Sequence, residues 1–335
     1  MNNRIIARNE EVVIGVDVSD EAHHLAVVNM RGILLKDATI KQPTMEKWMD
    51  FIAGRLPGCQ VRVVYEAGPH GYTLHDVALM IGCEVTVVTP QKPVGGVKTN
   101  KRDARSLARD FLAGRAKPVV VPAFEKRCRR QVLRLRDTLV KESTRLRNMI
   151  NSMQRFHGRS GHLRSPREDT SEYVAFCIGK LNELVGFITE RIKELERALK
   201  VIAKEEPWRE DVKKLEKICG IGRHSALEFA LQIADIRAFR NSGAFASHLG
   251  LCPGEWSTGE ARRQGHITRR GPGKLRGLLV QCAWTRIRFD PGAFAIFEKL
   301  RARRGKKRAI VAIARRLAVQ IWWELAGAER EAAAA

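Results

Sequence analysis

EVVIGVDVSD, residues 11–20, is the segment on which the fold turns. Val12, Val13, Ile14, Val16 and Val18 make an almost unbroken β-branched run, as expected of a strand covered on both faces. Ser19 and Asp20 close it as turn formers. Inside it stands Asp17, between Val16 and Val18. An ionised carboxylate in a central strand is costly unless it is paired or holds a cation. The bland alternative is an acid at a strand end accepting local hydrogen bonds.

Around this strand the first 90 residues read as α/β. HHLAVVNM and GILLKDATI, joined by a turn near Arg31 and Gly32, complete a three-stranded meander. MEKWMDFIAGRL (45–56) has helical apolar spacing, VRVVYEAG (61–68) is a fourth strand, TLHDVALMIG (73–82) a second helix and CEVTVVTP (83–90) a fifth strand. The order β-β-β-α-β-α-β followed by a helix is that of the ribonuclease H-like fold. In that order the first and fourth strands are neighbours. Asp17 would then stand beside Glu66, which ends VRVVYE, at the strand edge where α/β sheets present reactive groups. Two close carboxylates need a shared proton or a metal.

VKTNKRDA (97–104) opens the helix that follows. Thr99 or Asn100 can cap it, and Asp103 in its first turn suits the helix dipole. Asp103 lies one turn before Leu107, so it borders the face that packs on the sheet and can reach Asp17 and Glu66. Such a cluster suits Mg²⁺, which prefers hard oxygen ligands. Further along the helix, Asp110 is a candidate substitute acid. Lys98, Lys101 and Arg102 are candidate nucleic-acid contacts.

Sixty Lys and Arg against 37 Asp and Glu leave a formal net charge of +23, which calls for a polyanionic partner. Aromatic residues make up only 6%. The seven cysteines are scattered singly with no CxxC pair, against both a zinc site and a disulfide framework. The polar start MNNRIIARNEEVV has no signal-peptide core, and no apolar run has the length to span a bilayer. The expectation is a soluble cytoplasmic, nucleoid-associated protein without membrane contact.

Three regions are expected: 1–118 α/β, 119–207 long charged helices, and 208–327 helical with Gly-rich turns. In the second, Val132, Leu139, Leu146 and Met153 recur every seven residues, with Leu135, Met149 and Phe156 at most of the intervening d-type positions. After the HGRSGHLRSPRED loop, Leu181, Val185, Ile188, Ile192, Leu195, Leu199 and Ile202 keep a four–three spacing. The pattern fits an antiparallel hairpin or an intermolecular coiled coil equally. In the third region, Gly220 and Gly222 of LEKICGIG could offer amides to a phosphate at a helix N-terminus, or simply form an interhelical turn. Arg262, Arg263, Arg269, Arg270, Lys274 and Arg276 crowd among glycines in a segment read as loop then helix, suited to gripping phosphates. Ser257 sits in the EWSTGE turn, where serine is ordinarily a turn former.

Taken together, IGVDVS, YEAGPHGY, VKTNKRDARSLA, LEKICGIG with SALEFALQIADIRAF, and HLGLCPGEWSTGEARRQGHITRRGPGKLRGLL resemble the insertion sequence 110 transposase family, including its 1111 branch. These are the DEDD-type, bridge-RNA-guided recombinases, and the resemblance covers nearly the whole chain. It implies a RuvC-like nuclease domain, a coiled-coil linker for dimerisation, and a C-terminal transposase domain. It implies a four-acid Mg²⁺ site, one or two ions, matched by Asp17, Glu66 and Asp103, with Asn100 where the third acid usually stands. A neutral amide there should lower metal affinity, as ligand charge tunes such sites. The resemblance further implies that Ser257 is a nucleophile, that double-stranded DNA at the element's ends and target is the substrate, and that an element-encoded guide RNA chooses sites. It implies a homodimer assembling to a tetramer, with sites joining acids of one subunit to the serine of another. The expected activity is excision and insertion of a mobile element by serine phosphoryl transfer. A hydrolytic Holliday-junction-type endonuclease and a crippled, purely nucleic-acid-binding copy are the alternatives.

Overall fold

The computed structural model describes residues 10–90, 100–157, 172–255 and 264–334. The chain divides into two compact units, Met1–Val121 and Pro122–Ala335.

The first unit is a five-stranded sheet with helices on both faces. The strands are β1 (Glu11–Val18), β2 (Ala22–Asn29), β3 (Leu34–Lys41), β4 (Gln60–Glu66) and β5 (Glu84–Val88), in spatial order β3-β2-β1-β4-β5. β1, β2 and β3 form the antiparallel meander, with Gly32 at φ 76° in the second turn, a left-handed conformation that glycine tolerates. β4 and β5 join parallel to β1 through α1 (Met45–Arg55) and α2 (Thr73–Met80). The element order is the one read from periodicity. Both faces of β1 are apolar because each is covered. Val12, Ile14 and Val16 pack with Trp48 of α1 and Leu74 of α2. Val13 packs with Val64, Val88 and Leu107 of α3 (Asn100–Leu112) on the other side.

Gly15 lets α3 lie directly on β1. A Cβ on Gly15 would fall 2.1 Å from the Ala104 carbonyl oxygen and 2.9 Å from Ala108. The helix runs back along the strand. Ala104 lies over Gly15, while Phe111 stacks on Arg62, whose strand partner is Val13. Its N-terminal turn therefore points to the C-terminal ends of β1 and β4.

In the second unit, α4 (Phe124–Phe156) and α5 (Glu172–Ile202) pack as an antiparallel pair, tied by Arg136–Glu196 at 2.8 Å and Arg129–Glu205 at 3.1 Å. The alternative left open by the heptads is thus an intrachain hairpin. All seven apolar positions read on α5 are buried or half-buried, as expected. On α4 the expected seam needs correction. Val132, Leu139, Leu146 and Met153 are buried or half-buried as expected, but Leu135, Met149 and Phe156 are 52%, 42% and 86% exposed, and Leu133, Ser143 and Ile150 are buried in their place. Leu133 is drawn in because that end of α4 also joins the core of the C-terminal helices, beside Leu199, Ile202 and Trp208.

Those helices are α6 (Arg209–Glu216), α7 (Arg223–Gln232), α8 (Ser242–His248), α9 (Gly273–Phe289), α10 (Pro291–Arg304) and α11 (Lys306–Ala334). The buried Ile313, Ala314, Leu317, Ala318 and Ile321 make α11 the central post of this core. Between α8 and α9 runs a two-stranded antiparallel ribbon, β6 (Pro253–Glu255) and β7 (Gln264–Ile267), where loop alone was expected. No helix among the described residues is long and apolar enough to cross a membrane.

Candidate functional site

Val16 of β1 pairs with Tyr65 of β4, so the next residues along the parallel strands, Asp17 and Glu66, are neighbours. Alternation places both on the α3 side, since Val13, Gly15 and Val64 already face that helix. Asp17 is half-buried and Glu66 exposed. The first turn of α3 brings Asn100, exposed, and Asp103, half-buried, to the same end of the sheet. Asn100 and Asp103 are three apart on one helix flank, and Ala104 beside them is the residue seated on Gly15. These four residues therefore lie at the same end of the sheet, although Asp17, Glu66 and Asp103 do not form a cluster at ligand distance among the described residues. Residue 99 lies outside the described residues, and with it the Thr99 cap. Asp110 is engaged elsewhere on the helix, accepting from Ser106 at 3.2 Å and from Arg115 at 2.8 Å.

A cross-link that sequence reading missed holds the loops beside this edge. His70, in the loop after Glu66, lies 2.9 Å through Nδ1 from Oδ1 of Asp20, in the loop after Asp17. Beneath them the Trp48 indole N–H donates to Nδ1 of buried His23 at 3.1 Å. Burial, reinforced by the neighbouring His70, lowers the His23 pKa to about 4, so the ring is neutral and free to accept. Only the proximity of two strand ends, invisible in one dimension, could have flagged the Asp20–His70 contact.

Outside, α3 and the turn after it carry a basic cleft of about 610 Å³, lined by Lys101, Arg102, Arg105, Arg109 and Arg115 with Ser106 and Asp110. Arg105 is held by Asp37 through a two-pronged contact, and Arg115 by Asp110. Lys101, Arg102 and Arg109 form no ion pair among the described residues, so their charge is available to phosphate.

In the second unit the candidate phosphate-binding residues fare differently from one another. Ser257, Arg262 and Arg263, like Lys98 in the first unit, lie outside the described residues. The ends of the Ser257 segment are nonetheless set, because Glu255 of β6 pairs with Gln264 of β7. At the ribbon's base two strands of chain cross closely. A Cβ on Gly250 would meet the Arg270 carbonyl at 2.3 Å, and one on Gly271 the His248 carbonyl at 1.8 Å. Arg276 pins this crossing by donating to Leu249 O at 3.0 Å and Arg270 O at 3.3 Å. Lys274 binds Asp137 and Glu228, each at 2.5 Å. Of the basic residues read here, Arg269 and Arg270 stand exposed on the ribbon's exit, whereas Lys274 and Arg276 are committed to the protein itself. Gly220, at φ 94°, allows α9 to approach so closely that a Cβ would lie 2.6 Å from Cys282 O. Gly222 is the N-cap of α7, with no side-chain cap.

Two family models match this chain. One, described as Transposase IS116/IS110/IS902 family, covers residues 212–297, and a DEDD-type IS110 transposase model covers 14–156. The chain is similar to a protein named transposase y4qE of Sinorhizobium fredii, 31% identical over 86% of this chain and 75% of that one. It is 27% identical to the transposase for insertion sequence element IS1328 of Yersinia enterocolitica, over 84% of this chain and 87% of the relative. It is 26% identical to the transposase for IS1111A of Coxiella burnetii, over 92% and 88%. The first model's span holds Gly220, Gly222 and the Ser257 segment, the second all four residues of the strand edge.

Proposed function

This chain belongs to the IS116/IS110/IS902 family of transposases, and from that premise we propose that it is a metal-assisted DNA recombinase with a RuvC-like first unit and Ser257 as nucleophile. The observation that carries the reading is the convergence of Asp17 and Glu66 on adjacent strand ends beneath the first turn of α3. Their donor atoms, with those of Asp103 and the Asn100 amide, are all hard oxygens, the set that suits Mg²⁺. Mg²⁺ held by these side chains would offset charge building on the phosphoryl oxygens during strand transfer. Asn100 contributes a neutral oxygen and weakens that hold relative to a fourth acid.

The Ser257 hydroxyl oxygen attacks a DNA phosphorus. A phosphorus–serine bond forms as the bond to the bridging DNA oxygen breaks, and that oxygen leaves carrying a proton in exchange for the one serine loses. The number of phosphoester bonds is unchanged, so a second strand's hydroxyl can reverse the step and reseal DNA without an energy source. Lys101, Arg102, Arg109, Arg269 and Arg270 hold phosphates and orient the duplex. Sequence choice falls to an element-encoded RNA by base pairing, a division of labour in which protein reads backbone and shape. The low aromatic content of 6% and the net charge of +23 accord with backbone-dominated binding. The outer faces of α4 and α5 serve assembly of the active oligomer.

A denaturing gel tests this. The chain is incubated with Mg²⁺, junction and target DNA and RNA from the element's flank, beside Ser257→Ala and Asp17→Ala. A detergent-resistant protein–DNA band in wild type, lost in both variants, is the expected result. Cleaved ends without adduct in wild type and Ser257→Ala would establish a hydrolytic nuclease and refute the serine assignment.

A further inference from the structure

A second group of metal-ligating side chains lies in the second unit, apart from the strand edge. Asp137 of α4 and His224 and Glu228 of α7 each present a ligand atom, all within 4.8 Å of one another. His224 and Glu228 are four apart and so share one helix face, the spacing at which two side chains chelate one ion. Burial, with Arg136 adding to it, lowers the His224 pKa and keeps the imidazole in its neutral, ligand form.

A separate observation marks the space between its two carboxylates as a cation position. The Lys274 ammonium sits 2.5 Å from Oδ2 of Asp137 and 2.5 Å from Oε1 of Glu228. The Glu228 carboxylate is 3% exposed and is held by the Gln232 amide at 3.2 Å, as outer-shell partners hold metal ligands. Lys274 is 42% exposed, so its head group can swing to water once another cation neutralises the carboxylates. Arg136 cannot replace it. One of its terminal nitrogens is bound to Glu196 at 2.8 Å and the other is 3.5 Å from Asp137.

We propose that Asp137, His224 and Glu228 form a site for a divalent transition ion, Zn²⁺ being the best match, at which Lys274 is the resident cation and is displaced on metal binding. An imidazole suits Zn²⁺, carboxylate oxygens are also zinc ligands, and three protein donors leave a fourth position to water. Bonds of about 2.1 Å put tetrahedral ligands about 3.4 Å apart, so the triangle closes modestly as the ammonium leaves. The ejected ammonium would join Arg269 and Arg270 as free charge near the start of α9.

The test titrates Zn²⁺, then Co²⁺ as a visible probe, into the full chain carrying Asp17→Ala and Asp103→Ala, so that the strand edge is silent. One equivalent should bind with a four-coordinate Co²⁺ spectrum. Lys274→Met should tighten binding about tenfold or more by removing the competitor, while Lys274→Arg should not. His224→Ala should weaken it at least about tenfold. Binding that ignores His224→Ala, or an absence of binding in both the Lys274 parent and Lys274→Met, would overturn the site. Should Lys274→Met prove unfolded by circular dichroism, the comparison of the parent with His224→Ala decides alone.

Discussion

Gly15 shows how a single missing methyl group can set a site's geometry. The residue is flat strand, so its glycine is required by the helix above it and not by backbone conformation. With the Ala104 carbonyl 2.1 Å from where a Cβ would be, Gly15→Ala must lift α3 from the sheet. Overpacking of this kind costs about 1–3 kcal/mol and moves backbone. Because Asn100 and Asp103 ride on the lifted turn, Gly15→Ala should lower Mg²⁺-dependent strand cleavage by more than about tenfold while the chain still folds. Thermal unfolding together with a Mg²⁺ titration of cleavage checks both halves. A folded variant with unaltered Mg²⁺ dependence would place the metal away from α3.

At the scale of elements, the α4–α5 hairpin has two kinds of apolar residue. Leu199 is 4% exposed and joins the core shared with Leu133 and Trp208, whereas Phe187 is 62% and Leu184 51% exposed on the outer side of α5. Leu199→Ala should destabilise the second unit by about 2–5 kcal/mol through cavity formation. Phe187→Glu with Leu184→Glu should leave stability within about 0.5 kcal/mol and reduce the proposed oligomer to a smaller species. Chemical denaturation and light scattering separate the two effects. An unchanged mass in the double variant would remove this face from assembly. The α4 register is also where sequence periodicity misled. A seven-residue recurrence accommodates adjacent registers, and Leu135, Met149 and Phe156 satisfied it while facing out. The choice between registers came from Leu133, drawn into a core built of residues much later in the chain.

Across the whole molecule, the net charge of +23 is a sum that conceals two populations. Some bases, such as Lys274, Arg276, Arg105 and Arg115, are spent on internal carboxylates and carbonyls. Others, such as Arg102 and Arg109, line the open cleft on α3. Nucleic-acid affinity should therefore fall steeply with salt. Arg102→Ala should reduce the log–log slope by about one, whereas Arg276→Ala should lower the melting temperature instead. Fluorescence anisotropy across a salt series, run beside thermal melts, distinguishes these fates. Equal slope changes for both residues would mean that Arg276 also reaches phosphate.

The strands, the helices and the order of the first unit were legible in the linear chain, because apolar periodicity and turn chemistry are local properties of a few residues. The ribonuclease H-like order then makes Asp17 and Glu66 neighbours, because in it the first and fourth strands lie side by side, as β1 and β4 do. Local pattern also named the basic segment around Arg269 and Arg270. It could not say which bases were free, which α4 register was buried, that a ribbon frames the Ser257 segment, or that Asp137, His224, Glu228 and Lys274 meet. Those depend on side chains from distant helices sharing one volume, where close packing and charge neutralisation are settled only when the chain has folded.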